Sequence, residues 1–112
     1  MKRGDVFWCN LEPAIGSEIK KIRPCVIVSN DLANQFSSVV TIVPITSKKT
    51  EKIFPDEVLI ENINGLVKGK AVSSQIRTVD KKRVLKKIVT LSPNLVEKLN
   101  ATLMIHLSLL DE

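Results

Sequence analysis

The 112-residue chain is long enough for one domain with a modest core, residues 1–112, and its hydrophobic fraction of 44% and charged fraction of 26% exclude a disordered tail. No apolar run approaches the ~20 residues that cross a bilayer, and the start MKRGDVFWCNLEP lacks the apolar segment of a signal peptide, so we expect a cytoplasmic protein without a membrane partner. The 17 Lys and Arg residues exceed the 12 Asp and Glu residues, and this net charge of +5 favours a polyanionic partner such as a nucleic acid.

Most of the chain is typical of short strands separated by turn signals such as Pro, Gly, Asn and Asp. Residues 24–28 form a continuous β-branched apolar run, which predicts a strand buried on both faces. Within residues 39–46, Pro44 indicates a sheet edge, a bulge or a bend. The predicted elements before the C-terminal region are strands at residues 5–11, 24–28, 39–46, 58–60 and 69–79, a helical turn at residues 32–36, and a turn at residues 64–65.

The C-terminal region changes to a helical period. Ser92 and Pro93 are a helix start, because the hydroxyl caps free N–H groups and proline fits the first helical position. The apolar face that follows is wide for so small a domain and suggests a homodimer. On this face we interpret the histidine as a core or interface residue rather than a catalytic one. The face consists of Leu95, Leu99, Leu103, His106 and Leu110.

These elements predict a fold that is mostly β with a C-terminal helix, arranged as a strongly bent sheet or a small barrel. Cys9 and Cys25 lie in apolar segments, where a buried thiol is the simplest interpretation. A structural zinc site needs about four closely spaced Cys or His ligands, which this chain lacks. We therefore expect no cofactor, and chemistry that is either metal-free or dependent on a hard cation held by carboxylates.

The first polar cluster is GSEIKKIRP, residues 16–24. Arg23 enters a buried strand, and Pro24 restrains it to an extended conformation. A guanidinium group held in this way either presents its planar fork to a phosphate or forms a salt bridge with Glu18 that closes the loop.

Two further clusters interrupt apolar strands. The segment VPITS ends in the hydroxyl groups of Thr46 and Ser47, which also occur in ordinary turns. In SSQIRTVD, strand alternation places Gln75 and Arg77 on the same face. This pair either reads nucleic-acid bases and phosphates or forms a structural polar network.

Together, the runs RGDVFWCNLEP, GSEIKKIRPCVIVSND, VVTIVPITS and SSQIRTVDKKRV resemble the MazF/PemK (Kid-like) toxin family in order and spacing, over essentially the entire chain. The resemblance implies an SH3-like small β-barrel with a C-terminal helix, a homodimer, and sequence-specific cleavage of single-stranded RNA, chiefly mRNA. It also implies a cognate antitoxin that silences the toxin by covering the RNA groove at the dimer interface.

By the same resemblance, Arg23 and Thr46 are the catalytic candidates, and Glu18 is a general base or an orienting partner for Arg23. The implied reaction is metal-free. The ribose 2′-OH attacks the neighbouring phosphorus and leaves a 2′,3′-cyclic phosphate and a 5′-OH, while a fixed guanidinium and a hydroxyl donor stabilise the charge that builds on the phosphate oxygens.

The RNA is expected to lie across the loops that flank these candidates. Phe54 is either a base contact or part of a small satellite core, and Gln75 is a candidate base reader. The chain departs from some family members at Ser17, Val72 and Ser74, and this excludes a mechanism built on a His/Arg/Asp set. The candidate RNA-binding residues are Lys20, Lys21, Ser47, Lys48, Lys49, Phe54, Gln75 and Arg77.

Two other functions are compatible with the same fold. Gyrase-poisoning toxins act by binding a protein and depend on the end of the terminal helix, which here is residues 106–112. A non-catalytic RNA-binding module retains RNA without cutting it. The intact GSE…RP and PITS blocks argue against the gyrase poison.

Overall fold

The computed structural model describes residues 1–63 and 66–109. Within them, the predicted fold class is confirmed: an antiparallel sheet with a C-terminal helix. No helix in these residues is long and apolar enough to span a bilayer. The elements are β1 (Asp5–Asn10), β2 (Ile22–Ile27), α1 (Asp31–Phe36), β3 (Val39–Thr46), β4 (Glu57–Ile63), β5 (Leu66–Val72), β6 (Arg77–Asp80), β7 (Val84–Thr90) and α2 (Pro93–His106), with 3₁₀ turns at Ser73–Gln75 and Lys81–Arg83.

The sheet follows the order β4-β5-β3-β2-β1-β7, and β6 also pairs with β3. β3 changes partner along its length: Val39–Ile42 pair with β6, and Ile45–Thr46 pair with β5. Pro44 lies between the two pairings, where its missing N–H removes no hydrogen bond to either strand. β3 is an internal strand and its register with β2 is regular at Pro44, so the structure places Pro44 neither at a sheet edge nor at a bulge against β2.

Hydrophobic side chains cover both faces of the sheet. One face packs against α2 and includes Val26 and Ile45, with Leu99 and Leu103 from the helix. The other face includes Cys25, Ile27 and Ile42 and is closed by the loop between β1 and β2. Residues 24–28 are buried throughout, so the prediction of a strand buried on both faces is confirmed.

The helix start is also confirmed, since the Ser92 hydroxyl accepts a hydrogen bond from the Leu95 amide at 3.3 Å. Leu99 and Leu103 are buried as predicted. His106 is not in the core: its side chain is 32% exposed, and Nδ1 lies 3.4 Å from Oδ2 of Asp56. Leu110 and the predicted turn at residues 64–65 lie outside the described residues.

The predicted strand at residues 69–79 is wrong, because a 3₁₀ turn at Ser73–Gln75 divides it into β5 and β6. The Ser73 hydroxyl is buried and lies 2.8 Å from that of Thr102 on α2, while the Ser73 amide donates to the Asp56 carbonyl at 3.1 Å. These contacts draw the chain out of the sheet, so the strand alternation assumed for Gln75 and Arg77 does not apply.

Strand β7 is absent from the sequence-based prediction, which has no element between residue 79 and the C-terminal helix. It forms one edge of the sheet and pairs with β1 through an irregular register. The register is anchored by Asp5, whose carboxylate accepts from Thr90 Oγ1 at 2.7 Å. Burial alone raises the pKa of Asp5, but hydrogen bonds from the Lys2 amide, Thr90 and Lys87 lower it overall. Exposed lysines on an edge strand discourage pairing with another chain.

Candidate active site

Strand pairing brings the two main catalytic candidates together. β2 and β3 pair as Ile27 with Ile42 and Cys25 with Pro44. Arg23 lies two residues before Cys25 on β2, and Thr46 lies two residues after Pro44 on β3, so both candidates stand at the same end of adjacent antiparallel strands. Opposite residues of antiparallel strands point to the same face and have Cβ atoms about 5 Å apart. The register therefore predicts that Arg23 and Thr46 are neighbours at the end of the second hydrophobic face.

The Arg23 guanidinium is oriented by the chain beside it. Its Nε–H donates to the Lys20 carbonyl at 3.1 Å, and the next residue, Pro24, is buried. Within the described residues, Nη1 and Nη2 make no hydrogen bond to protein. This arrangement leaves the two outer nitrogens of the fork available to bind an anion.

Thr46 ends β3 with a half-buried hydroxyl group. Oγ1 accepts a hydrogen bond from the Lys48 amide at 3.2 Å, which leaves the hydroxyl proton free to be donated. The backbone of β5 approaches closely here: a Cβ at Gly69 would lie 2.7 Å from Ile45 Cγ2 and 3.1 Å from the Thr46 carbonyl oxygen. A side chain at residue 69 would have to displace the Ile45 side chain and crowd the Thr46 backbone, so glycine fits this approach best.

Glu18 does not form the predicted salt bridge with Arg23 in the part of the chain that the structure describes. Its Oε1 instead accepts from the Ile15 amide at 2.6 Å, across a turn in which Gly16 has φ +57°. The carboxylate thus stabilises the shape of the loop between β1 and β2 (residues 11–21), called the first loop below. Arg23 takes its orientation from the Lys20 carbonyl instead.

Gln75 and Arg77 also hold the first loop. Gln75 Oε1 accepts from the Ile19 amide at 3.1 Å, and its Nε2 donates to the Ser17 carbonyl at 3.3 Å. Arg77 Nη1 donates to the Leu11 carbonyl at 3.3 Å. Of the two interpretations given to this pair, the structure contains the polar network, and contact with RNA stays a prediction.

The remaining RNA-binding candidates lie on two exposed loops, before Arg23 and after Thr46. The side chain of Phe54 is 48% exposed, so it is not part of a satellite core. The ammonium groups of Lys52 and Lys70 lie 5.1 and 5.6 Å from the centre of its ring, within cation–π range. The other exposed candidates on these loops are Lys20, Lys21, Ser47, Lys48 and Lys49.

Sequence reasoning missed a buried ion pair beneath the loop between β3 and β4 (residues 47–56), called the second loop below. Lys70 Nζ lies 2.8 Å from Glu57 Oε1, and the side chains are only 6% and 9% exposed. The residues are 13 positions apart on adjacent strands, so no local sequence pattern connects them. Lys70 pairs directly with Thr46 across β3 and β5, which places it in the same row as the catalytic candidates.

Neither cysteine belongs to this site. Cys9 and Cys25 are buried free thiols, and the neighbouring Cys9 thiol together with burial raises the pKa of Cys25, which keeps it protonated. Across residues 1–63 and 66–109, no group of three or more His, Cys, Asp or Glu side chains has an arrangement that could hold a metal ion.

Comparison with known proteins defines the class to which this fold and site belong. Residues 2–107 match the family model described as PemK-like, MazF-like toxin of type II toxin–antitoxin system. The chain belongs to this family.

Two curated relatives match almost the whole chain. Endoribonuclease EndoA of Bacillus subtilis is 34% identical over 99% of this chain and 97% of its own length. Endoribonuclease MazF9 of Mycobacterium tuberculosis is 39% identical over 97% of this chain and 98% of its own length. Among solved structures, a mycobacterial endoribonuclease in complex with its cognate antitoxin has a TM-score of 0.83 and 24% identity, with 100% of this chain and 99% of that one covered. At this identity the last match concerns the fold alone.

Proposed function

We propose that this MazF-like endoribonuclease toxin cuts single-stranded RNA, chiefly mRNA, at short sequence motifs in the cytoplasm and without a metal ion. Kinship with EndoA and MazF9 supports the nuclease activity. The observation that carries the chemistry is the position of Arg23 and Thr46 at the same end of the adjacent strands β2 and β3, with the guanidinium oriented by the Lys20 carbonyl.

In the proposed reaction, the ribose 2′-OH attacks the adjacent phosphorus, and the bond to the 5′ oxygen of the next nucleotide breaks. The products carry a 2′,3′-cyclic phosphate and a 5′-OH, whose oxygen takes a proton from water as it leaves, while the proton of the 2′-OH goes to the general base. The outer nitrogens of Arg23 and the hydroxyl proton of Thr46 donate to the non-bridging oxygens as negative charge develops on them. Glu18 is the proposed general base, since its carboxylate lies on the first loop and is not paired with Arg23.

The RNA strand is proposed to cross both exposed loops. The lysines at residues 20, 21, 48 and 49 are all exposed, and their charge attracts phosphates at any sequence. Sequence preference needs contacts to unstacked bases, for which Phe54 offers an exposed ring. We assign Ser47 to the same track, and we keep Gln75 and Arg77 as contacts at the edge of the first loop.

Incubation of the purified protein with a long single-stranded RNA in excess EDTA tests this function. We expect discrete cuts at one repeated short motif, mapped by primer extension, with 5′-OH ends that a kinase labels directly. An absence of cuts by folded protein contradicts the nuclease proposal. Cuts that EDTA abolishes contradict only the metal-independent mechanism.

We also propose that the toxin forms a homodimer and is silenced by a cognate antitoxin. A solved structural neighbour is a toxin in complex with its cognate antitoxin, which supports the second partner. The end of α2 supports the first, because apolar side chains there remain exposed in the single chain: Met104, Ile105, Leu107 and Leu109.

Leu107→Glu is expected to shift the protein from dimer to monomer, because a carboxylate within an apolar interface must be desolvated. Sedimentation velocity at micromolar concentration measures the change. Leu85→Glu is the matched control, since Leu85 is 48% exposed and Leu107 is 47% exposed, and Leu85 lies on the edge strand β7. A Leu107→Glu protein that remains dimeric would exclude this end of α2 from the interface.

A further inference from the structure

The buried ion pair between Lys70 and Glu57 joins two strands of the sheet, and both side chains also contact the second loop. Besides Glu57, Lys70 Nζ donates to the Lys52 carbonyl at 3.1 Å. Glu57 Oε1 accepts from the Phe54 amide at 2.9 Å, and the Glu57 amide donates back to the Phe54 carbonyl at 2.9 Å. One ammonium and one carboxylate therefore fix the backbone on both sides of Phe54.

The same ammonium group lies 5.6 Å from the centre of the Phe54 ring, and the exposed Lys52 ammonium lies 5.1 Å from it. The ring is thus held by its own backbone and by a cation that is almost inaccessible to solvent, since the whole Lys70 residue is only 4% exposed. A side chain that is 48% exposed would otherwise sample many rotamers. Fixing it before RNA arrives lowers the entropy lost on binding.

Stability alone does not explain the pair. Removing two charges from water is expensive, and a buried ion pair often contributes no more than apolar residues of the same size. An apolar side chain at residue 70 would suit this strand as well, because its neighbours Ala71 and Val72 are buried apolar residues. What the ion pair provides is a defined position for residues 52–57, next to Thr46, with which Lys70 pairs across β3 and β5.

We propose that Lys70 is a positioning residue for RNA binding: with Glu57, it holds the Phe54 ring and the Lys52 ammonium in the geometry that contacts one unpaired base and its phosphate. This proposal rests on the endoribonuclease function proposed above. Lys70 itself touches no RNA, because its ammonium group is already engaged by Glu57, by the Lys52 carbonyl and by the ring.

The test is a double-mutant cycle between the buried pair and Phe54. The paired variant Lys70→Met/Glu57→Gln leaves no unpaired buried charge, and glutamine retains an acceptor for the Phe54 amide. With a labelled single-stranded RNA that contains the cleaved motif, we expect KM to rise about tenfold, comparable with the loss of one base–aromatic contact, while kcat changes less than about threefold. In a Phe54→Ala background the same pair of substitutions should raise KM less than about twofold.

Lys86→Met on β7 is the matched control, since it removes one exposed positive charge far from the second loop, and we expect less than a threefold change in KM. Lys70→Arg should recover part of the lost affinity because it restores a cation. Circular dichroism melts verify that each variant is folded at the assay temperature.

Two results would overturn the role of Lys70: an unchanged KM in the paired variant, or an equal increase with and without Phe54. Anisotropy with a 2′-O-methyl RNA, which lacks the attacking hydroxyl, reports binding separately from cleavage. A wild-type protein that binds this RNA but never cuts the unmodified strand contradicts the nuclease function while still measuring the effect of Lys70. A wild-type protein that binds neither RNA overturns both proposals.

Discussion

Arg23→Ala is expected to lower the cleavage rate of saturating single-stranded RNA at least about 100-fold, the typical effect of removing one donor to a transition-state oxyanion. Arg23 and Thr46 lie at the same end of the adjacent strands β2 and β3, and the Arg23 Nε–H donates to the Lys20 carbonyl at 3.1 Å. Because the guanidinium is oriented before substrate binds, the two outer nitrogens meet the developing charge without reorganisation. Single-turnover cleavage of a labelled RNA measures the loss.

Arg23→Lys is the informative companion variant. It retains the charge and loses the planar fork, so it should recover RNA affinity better than rate. A folded Arg23→Ala protein with normal cleavage would remove this residue from the mechanism. The gyrase-poison alternative makes a different prediction: toxicity that survives Arg23→Ala but disappears when residues 106–112 are deleted.

Elements that local chemistry determines were predictable from the sequence. The bounds predicted for β3 are those of the structure, because a β-branched run is flanked by turn-forming residues on both sides. The α2 start was predictable because Ser92 and Pro93 act on their own N-terminal turn. The strand predicted at residues 69–79 failed because the buried contact between Ser73 and Thr102 joins residues 29 positions apart, and that contact interrupts the strand.

The candidate site also combines features that local sequence predicts with features that depend on long-range contacts. Arg23 and Thr46 stand in recognisable motifs, yet their proximity depends on the register between β2 and β3, which the sequence does not specify. The salt bridge considered between Glu18 and Arg23 was a local inference, and the structure gives the Arg23 Nε–H to a backbone carbonyl instead. Lys70 carries no local signal, because a lysine inside a strand is ordinarily exposed and its partner Glu57 lies on another strand.

The position of Lys70 also bears on how the loops cooperate. Gln75 and Arg77 fix the first loop through backbone groups of Ser17, Ile19 and Leu11. Lys70 fixes the second loop through the Lys52 carbonyl. Each exposed, basic loop is thus held from beneath by side chains of the sheet or of the adjoining 3₁₀ turn. Under the proposed function, the RNA meets two preorganised surfaces with the proposed catalytic residues between them.

Thr46→Val is expected to lower the rate at least about 100-fold with little change in RNA affinity, because valine has the shape of threonine without the donor. The hydroxyl oxygen already accepts from the Lys48 amide at 3.2 Å, and its proton remains free to be donated to a phosphate. The freed Lys48 amide lies at an exposed residue and can bond to water instead.

Thr46→Ser separates the hydroxyl from the shape of the side chain, and we expect it to retain activity within about tenfold of the wild type. Single-turnover rates of the Val and Ser variants, compared at saturating RNA, decide the point. If the Val variant keeps the wild-type rate, the hydroxyl group is not needed and Thr46 is structural. If Val alone loses rate, and Arg23→Ala adds little to that loss, the two residues act on the same charge, since groups that stabilise one transition state together are far from additive.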